Sequence, residues 1–149
     1  MAQSALPTLL LVEDSASDAN LFMRYVRKSQ LIHDIAWVET GEDALMYLRQ
    51  EGGYAQAMRP SLIVLDLNLP RLDGQDVLSS IKADLALRQI PVIVLTSSDS
   101  EDDIFQAYDR YANCYLQKPQ EAQNYTSTLN AIEEFWLNFA VLPSRRFAG

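Results

Sequence analysis

Five short apolar runs recur along the chain: TLLLV (8–12), IAWV (35–38), SLIVL (61–65), PVIVL (91–95) and NCYLQ (113–117). Each is short and nearly continuously apolar, so each predicts a buried strand. Between them apolar residues return at helical spacing: ASDANLFMRYVRKS (16–29), GEDALMYLRQ (41–50), DGQDVLSSIKADL (73–85) and EDDIFQAYDRY (101–111). A last helical pattern runs from about Glu121 to Leu142, and EGG after the second predicts a C-cap there. Strands that are apolar throughout belong in a sheet covered on both faces, which makes them parallel and joined by helical crossovers. Right-handed crossovers then give an open, doubly wound α/β sheet. No repeat, low-complexity tract or linker interrupts the alternation; Gln50 to Pro60 is its longest irregular stretch.

Composition narrows this picture. At 149 residues with 48% hydrophobic content the chain suits one domain, residues 1–149, with its core within 8–142. No apolar run approaches the ~18–20 residues that span a bilayer, and LPTLLLV lacks the flanks of a signal peptide. A net charge of −8 argues against a nucleic-acid surface. A solvated acidic surface accounts for most of that charge, but it also suits carboxylates gathered round a cation. One cysteine, Cys114, excludes an internal disulfide and fits a reducing cytoplasm, most simply as a small core residue.

In open parallel sheets ligands bind outside the carboxyl ends of the strands, where strand order reverses. The first strand ends in Glu13-Asp14, the third in Asp66, the fourth in Thr96-Ser97-Ser98 and the fifth in Lys118-Pro119. Taken singly these are ordinary: acids are usually solvated, a threonine caps, Lys-Pro forms a loop. Converging from four strands on one edge, they make a candidate site.

With these residues the chain resembles the receiver domains of two-component response regulators. LLVEDS (10–15), VLDLNLPRLDG (64–74), PVIVLTSS (91–98) and YLQKP (115–119) stand in family order and spacing. The resemblance implies a flavodoxin-like (βα)5 sheet of order 2-1-3-4-5. It implies Asp66 as phosphorylation site, accepting a phosphoryl group from a kinase phosphohistidine as an acyl phosphate. Asp14 and Asp66 would ligate Mg²⁺ (Mn²⁺ substituting) directly, Asn68 through its backbone carbonyl and Glu13 through water. Lys118 and the Thr96 hydroxyl would meet the phosphoryl oxygens, and Tyr115 would be the aromatic switch. A cis bond before Pro119 is also implied. Such a protein is not an enzyme beyond its own phosphorylation and autodephosphorylation. One departure from the family is RYANCY, where Tyr111 and Ala112 replace an expected glycine region.

No output domain is expected after the fifth helix, so output is expected through protein contacts. Extrapolated at about 100° per residue, Tyr125, Leu129, Ile132 and Trp136 form the core line of the extended last helix. Phe135, Phe139 and Leu142 extend to one side of it and Leu137 to the other. On the fourth helix Ile104, Tyr108 and Tyr111 form the core line, with Phe105 off it. Spare apolar groups on adjacent elements predict a homodimer through helix four, strand five and helix five, with Phe105, Phe135, Phe139 and Leu142 at the interface. A wider core contact is the plainer alternative. The tail IEEFWLNFAVLPS (132–144) is similar to that of the single-domain regulators of cyanobacterial phytochromes, which implies a light-sensing histidine kinase as partner. His33 is expected to be a loop residue. Two other readings stay open: an unphosphorylated scaffold, and a haloacid-dehalogenase-like phosphatase. The latter needs a second aspartate where Asn68 stands.

Overall fold

The computed structural model describes residues 6–143; Ser144, the last residue of the tail motif, lies outside them. Five parallel strands form one sheet: β1 (Thr8–Val12), β2 (Asp34–Val38), β3 (Leu62–Leu65), β4 (Val92–Thr96) and β5 (Cys114–Gln117). Their order is β2-β1-β3-β4-β5, the flavodoxin-like arrangement. The register pairs Leu10 with Ala36 on one side and with Ile63 on the other. β1 therefore sits at the reversal of strand order, beside β3.

The crossovers are α1 (Ala16–Ser29), α2 (Gly41–Leu48), α3 (Gly74–Ala83) and α4 (Glu101–Asp109), with α5 (Tyr125–Ile132) after β5. The first four start where the sequence provides a side-chain cap. Ser15, Thr40, Asp73 and Ser100 each accept a hydrogen bond from the backbone N–H three residues on, which satisfies one of the otherwise unpaired donors of the first turn. α2 ends before EGG rather than on it: Arg49 is its C-cap and Gln50 takes the left-handed conformation.

Alternation along the strands divides the core in two. Leu10, Val12, Ile63, Leu65, Val92 and Val94 face a layer completed by α2, α3 and Ala107 of α4. Leu9, Leu11, Leu62, Val64, Ile93 and Leu95 face the layer of α1 and α5. Because side chains alternate with a period of two, the residue that follows each strand has a predictable side. Continuing the pattern sends Glu13, Asp66 and Lys118 toward α1 and α5, and Thr96 toward α3 and α4.

Two helical faces differ from expectation. On α4 the buried residue is Ala107, while Tyr108 and Tyr111 are exposed, the latter at 74%. α4 buries the small Ala107, and Tyr111 lies past the end of the helix, whose C-cap is Arg110, so helical spacing does not carry to it. After α5 the chain continues as a π-helical stretch, Glu133–Phe139. Its wider turn breaks a 100° extrapolation. Leu137 is thereby turned into the core, Trp136 is half-buried, and Leu142 packs against the α1/α5 layer. Leu142 is thus not part of a free apolar face. Phe105, Phe135 and Phe139 are, all more than half exposed. Tyr111, standing where a glycine was expected, has a φ of 69°. There are no cis peptide bonds among the described residues, so the Lys118–Pro119 bond is trans, the form that X–Pro bonds also favour. Cys114 is half-buried on β5 and burial raises its thiol pKa; His33 is an exposed loop residue.

Candidate functional site

The acids and the lysine meet where the strand alternation sends them. β1 delivers Glu13 and Asp14, β3 delivers Asp66, and Lys118 follows β5. Glu13, Asp66 and Lys118 are buried, and Asp14 is exposed at the rim. The Lys118 Nζ donates to Glu13 Oε1 at 2.6 Å and to Asp66 Oδ2 at 2.9 Å. It also donates at 2.9 Å to Asp18 Oδ2, a residue of the first turn of α1. The other oxygens are held too. Glu13 Oε2 accepts from the Ser15 N–H at 3.2 Å, and Asp66 Oδ1 from the Asn68 N–H at 3.0 Å. Behind Glu13, the indole N–H of Trp37 donates to its carbonyl at 2.7 Å.

Charge explains the proton affinities. Burial, then repulsion from Asp66, raises the Glu13 pKa to about 7 against the pull of Lys118. For Lys118 burial acts downward, but Asp66 and then Glu13 outweigh it, and its ammonium is held more firmly than an ordinary one. Tyr125, buried at the start of α5, is raised by burial; Lys118 opposes this and Glu13, Asp18 and Asp66 add to it.

Glu13, Asp14 and Asp66 each offer a carboxylate oxygen, and all three oxygens lie within 4.8 Å of one another. Four carboxylates, counting Asp18, face a single ammonium there. Hard anionic oxygens in excess of local positive charge suit Mg²⁺ or Mn²⁺, and the exposed side of Asp14 leaves room for coordinated water. The residues present therefore fit a divalent cation.

Thr96 lies on the other side of Asp66. Its hydroxyl is buried and accepts from the Asn68 amide at 3.3 Å. Tyr115 is half-buried against the α3/α4 layer, and its hydroxyl donates to the Ser98 carbonyl at 2.9 Å. Ser98 in turn donates to Asp103 of α4 at 2.5 Å. The fourth strand end is thus hydrogen-bonded to α4 and β5. Of the residues named from the sequence, Glu13, Asp14, Asp66 and Lys118 form one cluster, and Thr96 joins it through Asn68. Asp18 was missed. Its signal was the pairing of Ser15 with an acid three residues on, directly after Glu13-Asp14.

The loop that carries Asn68 is clamped from beneath. The Gly74 N–H donates to the Leu67 carbonyl at 3.0 Å. A Cβ at Gly74 would lie 2.4 Å from Leu67 Cα and 2.5 Å from the Asp66 carbonyl oxygen. Only glycine permits this approach, so Gly74 sets the backbone position of Asp66.

Comparison with known proteins agrees with this geometry. The model of the response regulator receiver domain matches residues 9–130. Response regulator Rcp1 of Synechocystis sp. is 41% identical over 136 residues, covering 91% of this chain and 92% of its own. The crystal structure of its Mn(2+)-bound form superposes with a TM-score of 0.90 at 40% identity, covering 93% of this chain and 99% of that one. The phosphorylated cyanobacterial phytochrome response regulator RcpA does so with a TM-score of 0.90 at 47% identity, covering 94% and 100%.

Proposed function

The chain belongs to the response regulator receiver domain family, and from that premise we propose that it is the phosphoacceptor of a histidine kinase, with Asp66 as the phosphorylated residue. The observation that carries this is the place of Asp66: buried at the end of β3, 2.9 Å from the Lys118 ammonium and clustered with Glu13 and Asp14. An Asp66 carboxylate oxygen attacks phosphorus as the bond from phosphorus to the donor imidazole nitrogen breaks. The electron pair of that bond stays on the imidazole, and an acyl phosphate forms. Lys118 offers an N–H to the phosphoryl oxygens, whose charge is what such a site must stabilise. Asp14, Asp66 and the Asn68 carbonyl would hold Mg²⁺, with Glu13 acting through water. When bound, the cation neutralises the carboxylates and the incoming phosphoryl group. Thr96 would exchange its Asn68 contact for a phosphoryl oxygen. Tyr115, tied to Ser98, would pass that change to α4 and β5.

The kinase is a phytochrome-type light sensor and the meeting place is the cytoplasm; the similar cyanobacterial phytochrome response regulator RcpA supports the pairing. Output is through a homodimer made by α4, β5 and α5, carried by Phe105, Phe135 and Phe139, which stand exposed on either side of the edge strand β5. Among the described residues no helix is long and apolar enough to cross a membrane. The test is phosphotransfer from a purified, radiolabelled phytochrome-type histidine kinase in Mg²⁺. Label should move to the wild-type chain and not to Asp66→Asn; label on both, or on neither, refutes the assignment.

A further inference from the structure

The ammonium of Lys118 has three N–H donors, and each has a carboxylate partner: Glu13 at 2.6 Å, Asp18 at 2.9 Å and Asp66 at 2.9 Å. The three partners are not equivalent. The side chains of Glu13 and Asp66 are 3% and 6% exposed, whereas that of Asp18 is 37% exposed. Glu13 and Asp66 both have other work at the metal cluster. Asp18 is outside that cluster, and of its hydrogen bonds the one that reaches the site goes to Lys118. It is fixed from behind, because its own N–H is bonded to the Ser15 side chain that caps α1. The first turn of α1 is thus built to present a carboxylate to Lys118.

We propose that Asp18 is a positioning residue for phosphorylation: it holds one N–H of Lys118 so that another stays directed at Asp66. This rests on the reading of Asp66 as phosphoacceptor. When the phosphoryl group arrives, the donor now on Asp66 passes to a phosphoryl oxygen, and Glu13 and Asp18 keep the other two. A flexible lysine side chain otherwise has considerable rotamer freedom to lose at that moment. A carboxylate so near the site also repels the incoming anion, so hold and charge act in opposite directions. Substitution separates them. Asp18→Asn keeps a carbonyl acceptor and removes the charge, whereas Asp18→Ala removes both.

The experiment is the rate of phosphorylation by acetyl phosphate in saturating Mg²⁺, followed by intact mass. Trp37, whose indole is bonded to Glu13, gives a fluorescence titration with Mg²⁺ in parallel, in a Trp136→Phe background. Asp18→Ala should be slower by about tenfold, the equivalent of one partly screened charge-assisted hydrogen bond. Asp18→Asn should stay within about threefold of wild type or exceed it, and Mg²⁺ affinity should change less than about threefold in either variant. An Asp18→Ala rate equal to wild type overturns the inference. So does an Asn variant as slow as the Ala variant, which would make charge the cause. A tenfold loss of Mg²⁺ affinity overturns it too, by making Asp18 part of the metal site. If wild type itself gains no phosphoryl group, the fault lies with the reading of Asp66; if wild type gains one and Asp18→Ala keeps pace, it lies with Asp18 alone.

Discussion

Gly74 is far from any reacting atom in sequence terms, yet it should control phosphorylation. Replacing it with alanine puts a Cβ 2.4 Å from Leu67 Cα and 2.5 Å from the Asp66 carbonyl, where ordinary contact begins at 3.4 Å. Both neighbours are backbone atoms and cannot swing aside, so Asp66 and Leu67 must retreat by about 1 Å. Overpacking of this kind costs about 1–3 kcal/mol, and alanine returns at most ~1 kcal/mol through helix propensity. A net loss of about 0–2 kcal/mol should lower Tm by no more than about 8 °C in a domain of this size. The effect on chemistry should be larger, because a misplacement of about 1 Å at a reacting group costs roughly a hundredfold in rate. Phosphorylation by acetyl phosphate, timed by intact mass at a temperature where both proteins are folded, reads this directly. A Gly74→Ala protein that folds and phosphorylates at the wild-type rate would refute the clamp.

Other expectations follow from the same structure. Tyr111 holds a left-handed backbone that costs a bulky residue about 1 kcal/mol or more. Tyr111→Gly should therefore raise stability to urea by about 0.5–1 kcal/mol; unchanged or lower stability would contradict the strain. The raised Glu13 pKa, about 7, predicts Mg²⁺ affinity that falls as pH drops, by about tenfold from pH 8 to 6, since a metal-site carboxylate must be ionised. A flat titration of Trp37 fluorescence across that range would argue against it. Because the folded pKa of Glu13 lies above its unfolded value, its stabilising effect without metal is present below about pH 4.5 and lost as pH rises through about 7. The metal-free wild type should accordingly lose ground to Glu13→Gln across that window. Phe135→Glu places a charge on the α4–β5–α5 face and should convert a dimer to a monomer in sedimentation; unchanged association would move the interface elsewhere.

The strands and the acid cluster were legible for one reason each. Unbroken apolar runs such as TLLLV and LIVL mark strands buried on both faces, and a parallel sheet gathers its strand ends at one edge. Asp18 was harder to see because it enters from a helix, and its role depends on where Lys118 points. The last helix misled because a constant 100° step assumes an α-helix, whereas Glu133–Phe139 winds more widely and turns Leu137 inward. α4 misled because its helical spacing was carried to Tyr111, past the helix end at Asp109, while the residue it buries is Ala107. Tyr111, in the region where the resemblance leads one to expect glycine, takes the positive φ that glycine favours.

The most direct test of the central claim is phosphorylation by a small phosphodonor in Mg²⁺, followed by intact mass and peptide mapping. The expected result is one phosphoryl group per chain, mapped to Asp66, and no gain for Asp66→Asn or in the presence of a chelator. No gain on wild type, or an equal gain on Asp66→Asn, would contradict it.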